Sequence, residues 1–204
     1  MSNSRETADL ILSEARKMIE ENGDNAFRVT DLANRCGVAL GLLYHYFKDR
    51  DGLIAAVRES QFLAHIESDV EMLSKIVSHE GDLDAVLNIL VDDFSDPRNT
   101  LRNEFRLDRM DALVAARHNA DLMQRLTDAE ARLTTEIIAT VQQAKKDGLV
   151  DPLVDDKALA FMLEVIPLGT ALSNVYGEFL PDPEAWRYLV TRMLVSLLPP
   201  TANH

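Results

Sequence analysis

One cysteine, one tryptophan, eight glycines and seven prolines in 204 residues set the first limits on this chain. A lone thiol forms no internal disulfide and excludes a Cys-rich zinc module. Cys36 falls on the apolar face of a helical pattern, where a small core residue is its simplest role. Few helix breakers, long segments of 3.6-residue period and no alternating strand pattern predict an all-α protein. Catalytic signatures are missing too. No glutamate is followed three residues later by histidine, as a di-iron helical bundle requires. HExxH, GxSxG and a phosphate-cradling glycine loop are absent. The five histidines (45, 65, 79, 118 and 204) lack metal-ligand spacing, and His65 and His79 read as solvated helix or loop residues. These absences argue against an enzyme, a cofactor and a metal. The start, Met1 to Arg5, has no signal-peptide core, and no apolar run nears the length of a membrane span. The expectation is a cytoplasmic protein with no membrane partner.

Positive charge is also scarce: 21 Lys and Arg stand against 34 Asp and Glu, a formal −13. A uniformly acidic surface would repel nucleic acid, but the charge is unevenly spread. Residues 1–58 hold 8 basic and 9 acidic side chains, and the remainder hold 13 and 25. In the nearly neutral first part, Arg28, Lys48 and Arg50 flank one short segment, and such a rim can position a phosphate backbone.

That segment, between Arg28 and Leu53, is the richest in the chain. Val29, Leu32, Ala33 and Cys36 mark one apolar helix face, and Gly37 ends the helix. After Val38, Leu43 and Phe47 carry a second helix of about two turns. Two short helices around a glycine turn form a helix-turn-helix, whose second helix enters the DNA major groove. Residues 8–57 resemble the N-terminal domain of the TetR family of bacterial transcriptional regulators. The matching residues begin with Ile11 and Ala15, in a helix ending near Gly23, and with Val29-x-Asp31-Leu32-Ala33. They continue through Gly37-Val38, Gly41-x-Leu43-Tyr44-x-Tyr46-Phe47 and Lys48-x-Arg50-Asp51-x-Leu53. Beyond them the chain follows the family in layout only. The resemblance implies about nine helices: a three-helix head over residues 1–50, and a six-helix ligand-binding and dimerisation body over 51–204.

The periodicity and stop signals place the helices. The first runs from Asn3 or Ser4 to Glu21, with Leu10, Ile11, Ala15, Met18 and Ile19 as its buried stripe. A long helix follows from Asp49 or Arg50 to about Val77, and the pattern breaks at His79-Glu-Gly-Asp. Asp82 caps a helix to about Phe94, and Asp96-Pro97 starts one to about His118. The longest spans Asn119 to Asp147-Gly148, and Asp155 or Asp156 caps the next. The last starts at Asp182-Pro183 and stops at Pro199-Pro200.

Within the head, the resemblance assigns roles. Thr30 matches a position that faces a base edge. Arg28 stands where the family has a capping hydroxyl that touches phosphate, and a charge-assisted contact can replace it. Ala39 replaces the capping hydroxyl of the reading helix, a change that costs about 1 kcal/mol relative to Ser. Tyr44 resembles the tyrosine whose hydroxyl reaches a phosphate, and Lys48 and Arg50 are backbone contacts. Leu40, Leu42 and His45 are the outward positions. The leucines suit thymine methyls, with Leu40 equally able to pack into the head.

One short reading helix specifies too few base pairs, so the resemblance implies a two-fold dimer with reading helices about 34–36 Å apart. Residues 158–172, which include Phe161, Leu168 and Leu172, are apolar almost all round. The final helix carries Trp186, Leu189, Val190, Met193, Leu194 and Leu197. A helix apolar on every side needs two partners, so these segments are the expected dimer interface. Pro167 and Gly169 should loosen their helix and leave a cavity. Phe62, Phe94, Phe105, Met110 and Phe161 are the side chains placed around it, though plain core packing is the simpler role for each. Glu164 either pairs with Arg106 or Arg109, or meets a cationic or hydrogen-bonding ligand.

Together these readings give a ligand-responsive homodimeric repressor that binds a palindromic double-stranded DNA operator and an unidentified small-molecule effector. The alternative is a dimer of the same fold that has lost specific DNA binding and acts through a protein partner or small ligand. Ala39, Leu40 and Leu42 are the residues that favour it.

Overall fold

The computed structural model describes residues 2–78 and 82–200, with side chains for 6–76, 82–92 and 95–200. Among the described residues there are nine α-helices of six or more residues and no strand. They are α1 (Ser2–Asn22), α2 (Val29–Cys36), α3 (Leu40–Phe47), α4 (Arg50–Ser78), α5 (Leu83–Asn88), α6 (Thr100–Ala116), α7 (Ala120–Lys146), α8 (Asp156–Gly169) and α9 (Pro183–Val195). Beyond α8 the chain continues to Phe179 in short turns: 3-10 at Thr170–Leu172, α at Ser173–Tyr176, and 3-10 at Gly177–Phe179.

Side-chain caps start several helices. The Asp82 carboxylate accepts the Ala85 N–H at 3.1 Å, and Asp155 accepts that of Ala158 at 2.8 Å. Asp182 accepts those of Glu184 and Ala185, with Pro183 at the first helical position. The expected start at Asp96-Pro97 is not a helix start. There the Asp96 carboxylate takes the Arg98 N–H at 2.9 Å in a tight turn. Asn99, three residues on, is the cap that opens α6, accepting the Arg102 N–H at 3.0 Å. Two competing acceptors lie so close together that spacing alone could not choose between them. The helix expected to run from Asp82 to Phe94 changes hand-hold midway: α5 gives way to a π-helical turn over Ile89–Phe94. The break expected at His79 lies outside the described residues.

The chain forms two compact units, residues 1–64 with 108–126, and residues 65–107 with 127–204. The first unit holds the three-helix head. Its core unites Ile11, Ala15, Met18 and Ile19 of α1 with Phe27, Val29, Leu32, Ala33 and Leu43. Leu53 and Val57 of α4 belong to the same core, so the head's packing extends past residue 50. Leu10, expected in the α1 stripe, is 51% exposed; the stripe is carried by its neighbour Ile11.

The second unit buries Leu133, Ile137 and Val141 of α7 with Leu159 and Ala160 of α8, Val91 and Val190. His65, expected in solvent, is buried and stacks on Phe105 with ring centroids 4.0 Å apart. A periodicity reading treats histidine as polar, whereas its ring packs like an aromatic. The run from Asp156 to Phe179 also corrects an expectation, since by length and composition it could span a membrane. It is not one straight helix: it contains Pro167 and turns into 3-10 geometry at Thr170. Much of its apolar surface is bare, with Phe161, Leu172, Val175, Tyr176 and Phe179 all exposed.

Candidate nucleic-acid interface

The helix-turn-helix is built from the inside outward. α2 buries Val29, Leu32 and Ala33, and ends where Gly37 turns left-handed at φ 66°. The Val38 N–H then returns to the Ala33 carbonyl at 3.0 Å, closing the helix end. Arg35, in the last turn of α2, ties it to α1 through Glu14 at 2.8 Å and Glu21 at 3.2 Å. The hydrogen bonds from Lys17 and Arg35 hold the Glu14 carboxyl below its ordinary range. These pairs are exposed and orient α2 more than they stabilise it.

α3 anchors itself through buried Leu43, while Leu40, Tyr46 and Phe47 pack against the head core. Of the two openings for Leu40, the structure takes the packed one. Leu42 is half-buried, and Tyr44 and His45 are exposed along the helix. Thr30 and Arg28 are exposed at the start of α2, and the Arg28 guanidinium donates to the carbonyls of Asn25 (2.7 Å) and Phe27 (3.1 Å). Neither α2 nor α3 has a side-chain cap: Arg28 and Ala39 occupy the two cap positions in extended backbone. The Asp31 and Leu42 N–H groups return to the Arg28 and Ala39 carbonyls, at 3.2 and 2.9 Å, so no side chain takes up the first two N–H groups of either helix.

Lys48 closes α3 in an unusual conformation, φ 68° and ψ −55°, with the Asp49 N–H reaching back to the Phe47 carbonyl at 2.8 Å. This is a γ-turn of the strained hand. Asp49 then opens α4 by accepting the Gly52 N–H at 2.7 Å. The Lys48 side chain is exposed, as are Tyr44 and His45 of α3. Arg50 is placed differently: its guanidinium donates to the carbonyls of Asp24 and Phe27 and to the Asp51 carboxylate. It braces the start of α4 against the loop before α2, with its side chain still 38% exposed.

Arg58, one side of α4 further on, is a charged centre that periodicity does not reveal. Its guanidinium meets Asp24 at 3.0 Å, Asp111 at 3.1 Å and Asp108 at 3.9 Å, with Gln61 at 3.3 Å. Partial desolvation, with Asp24 and Asp108 nearby, pushes the Asp111 carboxyl up against the pull of Arg58, although its side chain is still 55% exposed.

In the second unit a cavity of about 210 Å3 lies against Pro167. Its walls are Leu90, Ser95, Met162, Leu163, Ile166, Pro167, Trp186, Leu189, Val190, Met193 and Leu194, almost wholly apolar. None of the side chains expected around a cavity is among them. Phe62 is core of the first unit, under the Arg109 guanidinium, and Met110 is half-buried there. Phe105 stacks on His65, Phe161 is 68% exposed, and the Phe94 side chain lies outside the described residues. Glu164 accepts a hydrogen bond from the Thr134 hydroxyl at 2.9 Å. Pro167 marked the right place, but which faces of α8 and α9 turn toward it is set by packing. Of the residues expected at a dimer interface, Phe161, Leu172, Leu189 and Met193 are exposed, and Leu168, Trp186 and Leu197 are half-buried. Val190 is buried.

Comparison with known proteins agrees with this architecture. Residues 11–57 match the family described as bacterial regulatory proteins, tetR family. The HTH-type transcriptional repressor AcnR of Corynebacterium glutamicum is 25% identical, covering 82% of this chain and 90% of its own. A transcriptional regulator of the TetR/AcrR family from Thermobifida fusca superposes with a TM-score of 0.62 at 18% identity, over 97% of this chain and 98% of that one. The regulator FadR of Bacillus subtilis, solved with stearoyl-CoA, gives 0.53 at 20% identity, over 92% and 97%. The helix-turn-helix head, residues 11–57, thus matches the tetR family of bacterial regulatory proteins, and the fold of the whole length is similar to that of solved TetR-family regulators.

Proposed function

We propose that the chain is a dimeric, ligand-responsive repressor that acts in the cytoplasm on a palindromic operator. The observation that carries this reading is the outer side of α3, where Leu42 is half-buried and Tyr44, His45 and, just past the helix end, Lys48 are exposed beyond a well-packed head core. Thr30 and Arg28 extend that face from α2. Tyr44, Lys48 and Arg28 are the phosphate contacts, and Thr30, Leu42 and His45 are the base-reading positions. Arg50 acts from behind, bracing the turn that carries Lys48. The first two N–H groups of α2 and of α3 supply further phosphate donors where Arg28 and Ala39 provide no capping hydroxyl.

The exposed apolar side chains on residues 161–179, with Tyr188, Leu189, Met193 and Val195 on α9, favour a dimer face. A surface this apolar marks an interaction site, and a second copy would cover it symmetrically. Sensing falls to the second unit, where the cavity beside Pro167 lies; FadR of Bacillus subtilis, of similar fold, was solved in complex with stearoyl-CoA. α4 carries residues of both units in one helix, so an effector that prefers the non-operator state shifts the population away from DNA.

Selection of bound sequences from random duplex DNA at two salt concentrations tests the reading. The expected result is a palindrome with half-sites about one helical turn apart, bound less tightly at the higher salt. Recovery of no motif from a folded dimer, even at low salt, would favour the dimer that no longer reads DNA.

A further inference from the structure

The cavity beside Pro167 is walled by three elements: the turn that ends at Ser95, α8 and α9. Two of these walls depart from regular α-helix where they meet it. Leu90 lies in the π-helical turn Ile89–Phe94, and Pro167 stands inside α8. Proline removes one helical hydrogen bond, and π-helical turns are rare and recur at functional sites. Protein interiors leave few voids larger than a water molecule, so about 210 Å3 between three elements is a shaped space rather than loose packing.

The lining decides what this space accepts. Among the described residues, Ser95 and Trp186 are the only lining side chains that carry nitrogen or oxygen. Neither has a donor left. The Ser95 hydroxyl donates to the Val91 carbonyl at 3.1 Å, and the Trp186 indole donates to the Ser95 carbonyl at 3.1 Å. The other walls are aliphatic or thioether side chains. A carboxylate or carbonyl brought here would give up its water and find no donor in return. Leu189 and Met193 are 53% and 43% exposed, so the space is reached from solvent past these two side chains.

We propose that the cavity binds an uncharged apolar molecule: an aromatic ring with a short alkyl chain, or a hydrocarbon of similar size, bearing no group that needs a hydrogen-bond donor. A dry apolar cavity of about 150 Å3 holds benzene, and the larger space here adds room for the chain. The inference deepens the proposed sensing role and rests on it for biological meaning, but the binding is measured without DNA.

Trp186 is the chain's one tryptophan and stands in the wall, so its emission reports the site directly. The full-length protein is titrated with propylbenzene and with 3-phenylpropanoate, which ends the same carbon skeleton in a carboxylate. Propylbenzene is expected to shift Trp186 emission to saturation at one molecule per chain. The anion should bind about tenfold more weakly or worse, because its charge finds no partner in the cavity. Leu163→Phe and Ile166→Phe add volume at half-buried lining positions and should each weaken propylbenzene about tenfold. Leu153→Phe, at a 92% exposed position outside the lining, should leave its binding unchanged. No saturable shift in folded protein would overturn the site, as would equal binding of the anion. So would parent-like binding by both filled variants with their helical circular dichroism intact. Operator release is then scored separately. Propylbenzene binding without release of DNA leaves this site standing and sinks the effector role assigned to it.

Discussion

Lys48 holds the strained γ-turn at the end of the reading helix, a conformation costing a non-glycine residue on the order of 1–3 kcal/mol. The side chain stays exposed just past the end of α3. Lys48→Gly should therefore raise stability by about 1 kcal/mol in urea unfolding while weakening binding to every DNA sequence alike. Unchanged DNA affinity in that variant would remove Lys48 from the phosphate contacts. Leu42 predicts the opposite pattern. Its half-buried side chain reaches no phosphate donor role, so Leu42→Ala should alter the preferred base at one position of each half-site. Repeating the sequence selection with the variant reads this out, and an unaltered motif would mean that Leu42 serves only packing.

At the scale of the element, the junction of α3 and α4 depends on one missing side chain. A Cβ on Gly52 would stand 2.2 Å from the Phe47 carbonyl oxygen. Helix propensity alone would make Gly52→Ala stabilising by about 1 kcal/mol. The close approach reverses the sign, and a loss of about 1–3 kcal/mol is expected from chemical unfolding. Arg58 joins three further segments, drawing Asp24, Asp108 and Asp111 around one guanidinium. The Asp111 carboxyl titrates above its ordinary 3.8 in the folded protein, chiefly through burial. A raised folded value means that its contribution is full at low pH and is lost as pH rises from about 3.8 toward the raised value. Arg58→Met removes the cation that opposes this rise. Its destabilisation should thus be larger at pH 7.5 than at pH 4.5, and equal losses at the two pH values would show that carboxylate repulsion is not the cause.

For the whole molecule, the decisive quantity is whether two copies associate through the bare face of residues 161–179. Phe161 and Val175 are 68% and 80% exposed, so a charge at either disturbs no core. Phe161→Glu and Val175→Glu should convert a dimer to a 22.8 kDa monomer in analytical ultracentrifugation, with helical circular dichroism intact and operator affinity lost. A dimer that survives both changes would have its interface elsewhere. The strong net charge of −13 also belongs at this scale: it opposes approach to DNA, so the proposed reading requires local donors around α3 to supply the affinity.

The sequence by itself determined the all-α class, the order of the helices and the helix-turn-helix. Each of these follows from local signals: 3.6-residue periodicity, Asp or Asn caps, the glycine at Gly37, and the run from Gly41 to Leu53. It also pointed to Pro167 as the place for a cavity. What it could not decide were matters of which face meets which. Leu40 and Leu42 look alike in the sequence, yet one packs into the head core while the other stays partly open. Arg50 and Lys48 are two residues apart, and only folding turns one inward as a brace and leaves the other outward. Arg58 drew no attention until Asp24, Asp108 and Asp111 arrived from distant parts of the chain. The cavity lining is likewise a product of long-range packing. Local backbone preference is written along the chain, whereas the pairing of side chains depends on elements separated by as many as 99 residues, as between Arg187 and Asn88.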